Sequence, residues 1–221
     1  MNISSDDTGR VTAFTAPFTQ GNQLQGHLPY AVGSATISDN GFDPTTGMVW
    51  GRWSGGTVTI GGQSVALGAK SMHYIFSGTQ SGPVTLPLTG SAVYTVSGST
   101  RPTDNAGNIG TLNSASLNAN FSARTVDTAL NLTIAGQTWN ASANNVPIYR
   151  DQYFSAYAGS SGIAGAPAPS LLNITCTPNC TPQRITGSID GFFTGRTGQS
   201  AGLMYNLNSS IAGAIAFRRP G

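Results

Sequence analysis

The chain reads as an all-β protein, an antiparallel up-and-down β-barrel of eight strands with a short helix and an irregular N-terminal extension. Three observations lead there. Period-two alternation of apolar and polar residues runs through most of the second half. Charged residues make up 8% of the chain, against roughly 25% in average soluble proteins, with one lysine (Lys70), no glutamate and eight aspartates. Helix surfaces are normally clothed in Glu, Lys, Gln and Arg, whereas Ser, Thr, Asn and Gly suit sheet faces and turns. Glycine, at 29 residues, recurs at inward positions of the alternating runs, where a small barrel has little interior volume.

The stretch Met1–Asp7 has neither the basic nor the apolar region of a signal peptide. Together with the cysteines discussed below, it leads us to expect a domain cut from a longer exported precursor. No run of eighteen apolar residues is present to span a membrane as a helix. Residues 15–47 are rich in Gly, Pro, Asn and Gln and alternate poorly, so residues 1–45 are expected to form an extension packed on a barrel domain spanning 46–221. Asp39-Asn40-Gly41-Phe42-Asp43 reads as a turn; it lacks the downstream Glu of a calcium loop. Met48–Trp53, Val58/Ile60, Met72/Tyr74/Phe76 and Ala92/Tyr94/Val96 alternate as strands, and Thr103–Gly107 reads as an Asx-type turn.

Alternation is cleanest further on. Leu117, Ala119 and Phe121 share a face, as do Val126, Leu130, Leu132 and Ile134, and then Trp139, Ala141 and Ala143, with Ala135-Gly136-Gln137 as a hairpin turn. Tyr149, Tyr153 and Tyr157 recur every four residues with Phe154 adjacent, which predicts a two-turn helix plugging one barrel mouth. Residues 158–170 have the composition of a mobile loop. The last strands follow from Ile185/Ile189/Phe193, Leu203/Tyr205/Leu207 and Ile211/Ile215/Phe217, with Gly187, Gly191 and Gly213 between the large residues. Cys176 and Cys180, the two cysteines, flank Thr-Pro-Asn and suit a tight disulfide loop, hence an oxidising compartment. Free thiols are the alternative; zinc would need ligands that the distant His27 and His73 do not supply at any supporting spacing.

Gly191-Phe192-Phe193-Thr194-Gly195, Ala201-Gly202 and the closing Ile211–Phe217 resemble the last strands of barrels in bacterial surface lipoproteins such as transferrin-binding protein B and factor H-binding protein. Ser200 stands where that pattern carries Glu. Trp50-Gly51-Arg52-Trp53, His73-Tyr74, Arg101-Pro102-Thr103-Asp104 and Gly110-Thr111-Leu112 bring the chain closer to the C-terminal barrel domain of FecR-domain-containing proteobacterial proteins. The resemblance covers roughly residues 46–219. It implies an eight-stranded barrel with loops or a small handle at one end, displayed at the cell surface or secreted, and acting by protein binding. It carries over no partner-binding residue.

Chemistry is thinly represented. No Gly-x-Ser-x-Gly elbow occurs, and His27 and His73 have no nucleophile and acid at triad spacing. His73, alternating with Met72 and Tyr74, is expected to face solvent or the barrel rim. Glycosidase chemistry needs paired carboxylates, and the aspartates are scattered. Arginines do not cluster beyond Arg218-Arg219, so nucleic-acid binding is not expected. No catalytic residue, metal or cofactor is assigned. The candidates for binding are Arg52 and Trp53, with Trp50 or Trp53 expected to fill the barrel and the other to meet solvent, and the aromatic set Tyr149, Tyr153, Phe154 and Tyr157. A non-catalytic barrel that binds an unknown protein at the bacterial surface is the expected function. A subunit of a surface filament or adhesin, self-assembling through its N-terminal arm, and a lipocalin-like carrier of a small ligand are the alternatives; an enzyme ranks last.

Overall fold

The computed structural model describes residues 2–20, 23–77, 84–150, 152–159, 170–178, 180 and 185–220. The first half carries β1 (Ile3–Ser5), β2 (Val11–Gln20), β3 (Gln23–Val32), β4 (Thr36–Asp43), β5 (Met48–Ser54), β6 (Thr57–Ile60), β7 (Gln63–Ala66) and β8 (Ser71–Ser77). The second carries β9 (Ser91–Ser99), β10 (Thr111–Asn120), β11 (Thr125–Ile134), β12 (Gln137–Pro147) and β13 (Tyr153–Ala158). It ends with β14 (Ser170–Leu171), β15 (Asn173–Thr177), β16 (Gly187–Thr194), β17 (Ser200–Leu207) and β18 (Ile211–Arg218). Among the described residues there is no helix.

The second half forms the barrel. Its sheet runs β14-β13-β16-β17-β18-β9-β10-β11-β12-β15, and every pairing is antiparallel except β13 with β14. The two ends of that order are one stretch of chain. Ser170–Leu171 pairs with β13, and Asn173–Thr177, beyond Leu172, pairs with β12. The sheet therefore nearly closes, and this bridging segment counts as a ninth strand beside the other eight. Closure removes the exposed edges that would otherwise recruit other chains. The disulfide joins Cys176, at the far end of the bridging segment, to Cys180 with their Cα atoms 5.9 Å apart.

Inward positions are those the alternation marks. Leu117, Leu132, Ile189, Phe193, Leu203 and Phe217 are fully buried in the barrel core. Ala135 and Gly136 both take positive φ, 50° and 75°, so the β11–β12 hairpin turns on two left-handed residues as a tight primed turn requires. The inward glycines have a specific task. A Cβ on Gly191 would overlap the ring of Phe154, and one on Gly213 would overlap the Tyr205 phenol. Small residues and large rings thus share each layer of a narrow interior.

The first half packs beside the barrel as two further sheets, β1-β2-β3-β6-β7 and β4-β5-β8. Met48–Trp53, Val58–Ile60 and Met72–Phe76 alternate like barrel strands but pair within these sheets. Residues 15–47 hold the latter part of β2 and all of β3 and β4 despite their poor alternation. Register shifts at Phe18/Thr19 and Ser38/Gly41 break the period, and Pro17 and Pro29 sit within the strands. Asp39-Asn40-Gly41 is accordingly a bulge inside β4 rather than a turn, with Asp39 at φ 54°. Val11, Phe14, Trp53, Val58, Tyr74 and Phe76 fill the space between the two small sheets. Phe14 stands at its centre, its ring 5.0 Å from that of Tyr30 and 5.4 Å from that of Trp53.

The opposite face of β4-β5-β8 lies on the barrel wall, where Met48, Trp50 and Ile75 meet Ala214 and Ala216 of β18. The Trp50 indole is wedged between Gly41 of β4 and Gly98 of β9; a Cβ on either would run into it. Gly98→Ala is expected to destabilise the protein by about 1–3 kcal/mol, the usual cost of overpacking, with Trp50→Leu in the same chain recovering part of the loss. Urea unfolding of the single and double variants checks this; additive losses would mean that the two residues do not meet.

Candidate binding surface

Strand β5 places Arg52 where the small sheet meets the barrel, and the guanidinium is buried. Its Nε donates to Asp39 Oδ2 at 2.8 Å and its Nη1 donates to Ser71 Oγ at 3.1 Å. Arg101, in the barrel loop after β9, reaches the same carboxylate from the other side, Nε to Oδ1 at 2.8 Å and its backbone N–H to Oδ2 at 3.1 Å. Burial alone would raise the Asp39 carboxyl, but the bonds from the two arginines outweigh it and hold the group below its ordinary range. The bulge at Asp39 aims the carboxylate into this gap.

His73 of β8 completes the junction. It is buried, 7% exposed, with Nδ1 2.8 Å from Thr100 Oγ1 and Nε2 2.8 Å from Thr103 Oγ1. Thr100 Oγ1 also accepts the backbone N–H of Ala214 at 2.9 Å. His73 is therefore neither at the rim nor in solvent: β8 turns it toward the barrel loop, and both ring nitrogens are engaged there. Arg52 serves the same junction and offers no exposed contact. Trp53, 0% exposed, belongs to the core between the small sheets and donates its Nε1–H to Val11 O at 3.1 Å. The expectation that one tryptophan of the pair fills the barrel fails because β5 is not a barrel strand; its two faces serve the two cores on either side of it.

The aromatic set comes together differently. Tyr149, Tyr153, Phe154 and Tyr157 lie on β13 and the turn before it, where the sequence predicts a helix. A four-residue spacing is even, so it places the tyrosines on one face in period two as well as in period 3.6. Pairing with β16, from Tyr153↔Phe192 to Ala158↔Gly187, selects the strand. Phe154, at odd offset, turns inward and is 1% exposed, its ring 5.5 Å from that of Phe193. The tyrosines stay outside. The Tyr149 and Tyr153 rings are 6.0 Å apart, and Tyr149 Oη lies 3.1 Å from Ser155 Oγ.

Neighbouring strands extend this surface. Ser155 pairs with Asp190 and Tyr153 with Phe192 on β16; Asp190 in turn pairs with Met204 on β17. Tyr153 on β13 and Met204 on β17 are each 39% exposed, large groups left outward on either side of β16. Tyr157 Oη donates to Asp190 Oδ1 at 3.1 Å. Partial burial, aided by that carboxylate, pushes the Tyr157 phenol up to about 12, so it remains the donor at neutral pH. Phe192 reaches from this patch to the packing around Met48 and Trp50. Asp190, Phe192 and Met204 escape notice in the sequence, because cross-strand register, which no local pattern reveals, is what brings them beside the tyrosines. The segment 160–169, read as a loop, lies outside the described residues.

A scan against models of known protein families gives no match to this chain, and a search of curated proteins gives none either.

The junction has a pH signature. Burial, and then the Arg52 charge, hold the His73 imidazole down at about 4, against an ordinary 6.5. The unfolded chain takes up this proton near pH 6.5 and the folded chain does so only near 4, so the stability His73 contributes is complete above the first value and drains away as pH falls to the second. That gap corresponds to about 3 kcal/mol. Urea unfolding from pH 7 to pH 4 is expected to show the decline in the wild type and a shallower one in His73→Gln; equal slopes would contradict it.

Proposed function

We propose that this chain is a secreted or bacterial cell-surface β-barrel that binds or displays to another protein and catalyses no reaction, in the manner of the surface-lipoprotein barrels its last strands resemble. The observation that carries the reading is the outward surface of Tyr149, Tyr153, Tyr157, Phe192 and Met204 on β13, the turn before it, β16 and β17. Aromatic side chains dominate the energetics of protein interfaces, and here all but Tyr149 are held on barrel strands. The polar clusters elsewhere support the same reading. Asp39, Arg52 and His73 spend their hydrogen bonds on the junction between the two halves. The Cys176–Cys180 bridge fits an oxidising compartment.

Two alternatives receive less support. The inward barrel positions carry large side chains down to Phe121, Phe193 and Phe217, which argues against a carrier with a ligand inside. β1 pairs with β2 of its own chain, which argues against a free arm that completes a neighbour's sheet.

A photo-crosslinking residue placed at Tyr153 tests the proposal on intact cells of the source bacterium. A discrete adduct with another protein is expected at Tyr153 and absent at Val93, which is outward on β9 and more exposed. Adducts at neither position, or the same ladder at both, would count against a binding surface here.

A further inference from the structure

Four aspartates sit on strands, and three have a structural task. Asp39 holds Arg52 and Arg101, Asp43 Oδ1 accepts the Thr45 N–H at 2.9 Å in the turn after β4, and Asp127 Oδ1 accepts the Asn145 N–H at 2.7 Å across the β11–β12 bulge. Asp190 is different. It is exposed on the outer face of β16, and among the described residues its carboxylate receives only the Tyr157 hydroxyl and faces no cation. Beside the polar Ser155 that pairs with it directly, aromatic and apolar groups lie around it: Tyr153 and Phe192 pair one step along the strands, Tyr149 is anchored at Ser155, and Met204 adjoins on β17.

We infer that this surface takes a basic side chain, an arginine or lysine, presented by the partner protein, with Asp190 as the counter-charge and the tyrosine rings around it as the walls. The inference rests on the proposed binding function and specifies the chemistry of the partner. A carboxylate with tyrosine, phenylalanine and methionine side chains on its neighbouring register positions is complementary to an organic cation, since aromatic ring faces are negative and flanking apolar contact suits the alkyl stem. The Tyr157 hydroxyl takes one lone pair of Oδ1 and leaves Oδ2 and the outer side of the carboxylate open, which a guanidinium can meet with two parallel N–H donors where an ammonium offers a point charge. An acidic partner would meet this carboxylate with repulsion. A neutral sugar would use the rings but leave the charge unused.

The test is a titration of the intact, isotope-labelled protein by NMR, with acetyl-Gly-Arg-Gly-amide as the probe. Acetyl-Gly-Glu-Gly-amide and cellotriose serve as comparisons. Saturable shifts confined to Tyr153, Tyr157, Asp190 and Met204 are expected with the arginine peptide. Asp190→Asn should weaken them on the order of tenfold, and Asp190→Glu should restore them in part. Asp190 is exposed, so the variants keep the fold, which unchanged shifts in the barrel core would verify. No shift, equal shifts in Asp190→Asn, or equal response to the acidic peptide or the sugar would overturn the inference. The crosslink at Tyr153 separates the two levels. Adducts that persist undiminished in Asp190→Asn would leave the binding surface standing and remove the basic side chain from it.

Discussion

A guanidinium cannot be left unpaired between two packed layers, and that requirement governs how the small sheets meet the barrel wall. Arg52 lies on the strand shared by both cores, with Trp53 pointing into one and Trp50 into the other. Its partner, Asp39, must therefore be delivered to the same depth, and a bulge with a left-handed residue does so. Arg101 then brings in the barrel side of the contact. A pair as buried as this is costly to break, because removing one member strands the other charge without water. The geometry of the whole junction follows: Gly41 and Gly98 make room for Trp50, and Thr100 and Thr103 satisfy His73.

How much of this could be read beforehand depends on where a residue sits. The barrel strands from Leu117 to Ala143 and from Ile189 to Phe217 were legible, because one face is buried, the other meets solvent, and alternation records the difference directly. Gly191 and Gly213 were legible for the same reason, as gaps between large inward residues. Strand β5 was legible as a strand but not as to its owner. Buried on both faces, Trp50-Gly51-Arg52-Trp53 looks the same whichever sheets flank it. The strands β2 to β4 were hidden by their bulges. The Tyr149–Tyr157 run misled because a spacing of four fits both periods, and only the partner strand β16 distinguishes them. The disulfide was expected from spacing, with free thiols as the alternative, and Cys176 and Cys180 are bonded. Asp190 and Met204 were invisible, since they join the tyrosines through register alone.

The division of labour in the molecule is then clear. The barrel interior is committed to packing, and the junction is committed to holding the small sheets against β9 and β18. Among the outer surfaces the fold leaves available is the wall of β13, β16, β17 and the turn before β13, where three tyrosines, a phenylalanine and a methionine lie around one carboxylate. Because Phe192 belongs both to this wall and to the junction packing, the position of the small sheets bears on the shape of the surface offered to a partner.

The central claim is that the small sheets and the barrel form one stable body through β5 and β8. Native-state hydrogen exchange tests it most directly. If the claim is right, the amides of Trp50, Arg52 and His73 exchange with the same protection as those of Leu132 and Leu203 in the barrel, through global unfolding alone. If β5 and β8 instead exchange far faster, through an opening that leaves the barrel protected, the junction is a loose contact and the account fails.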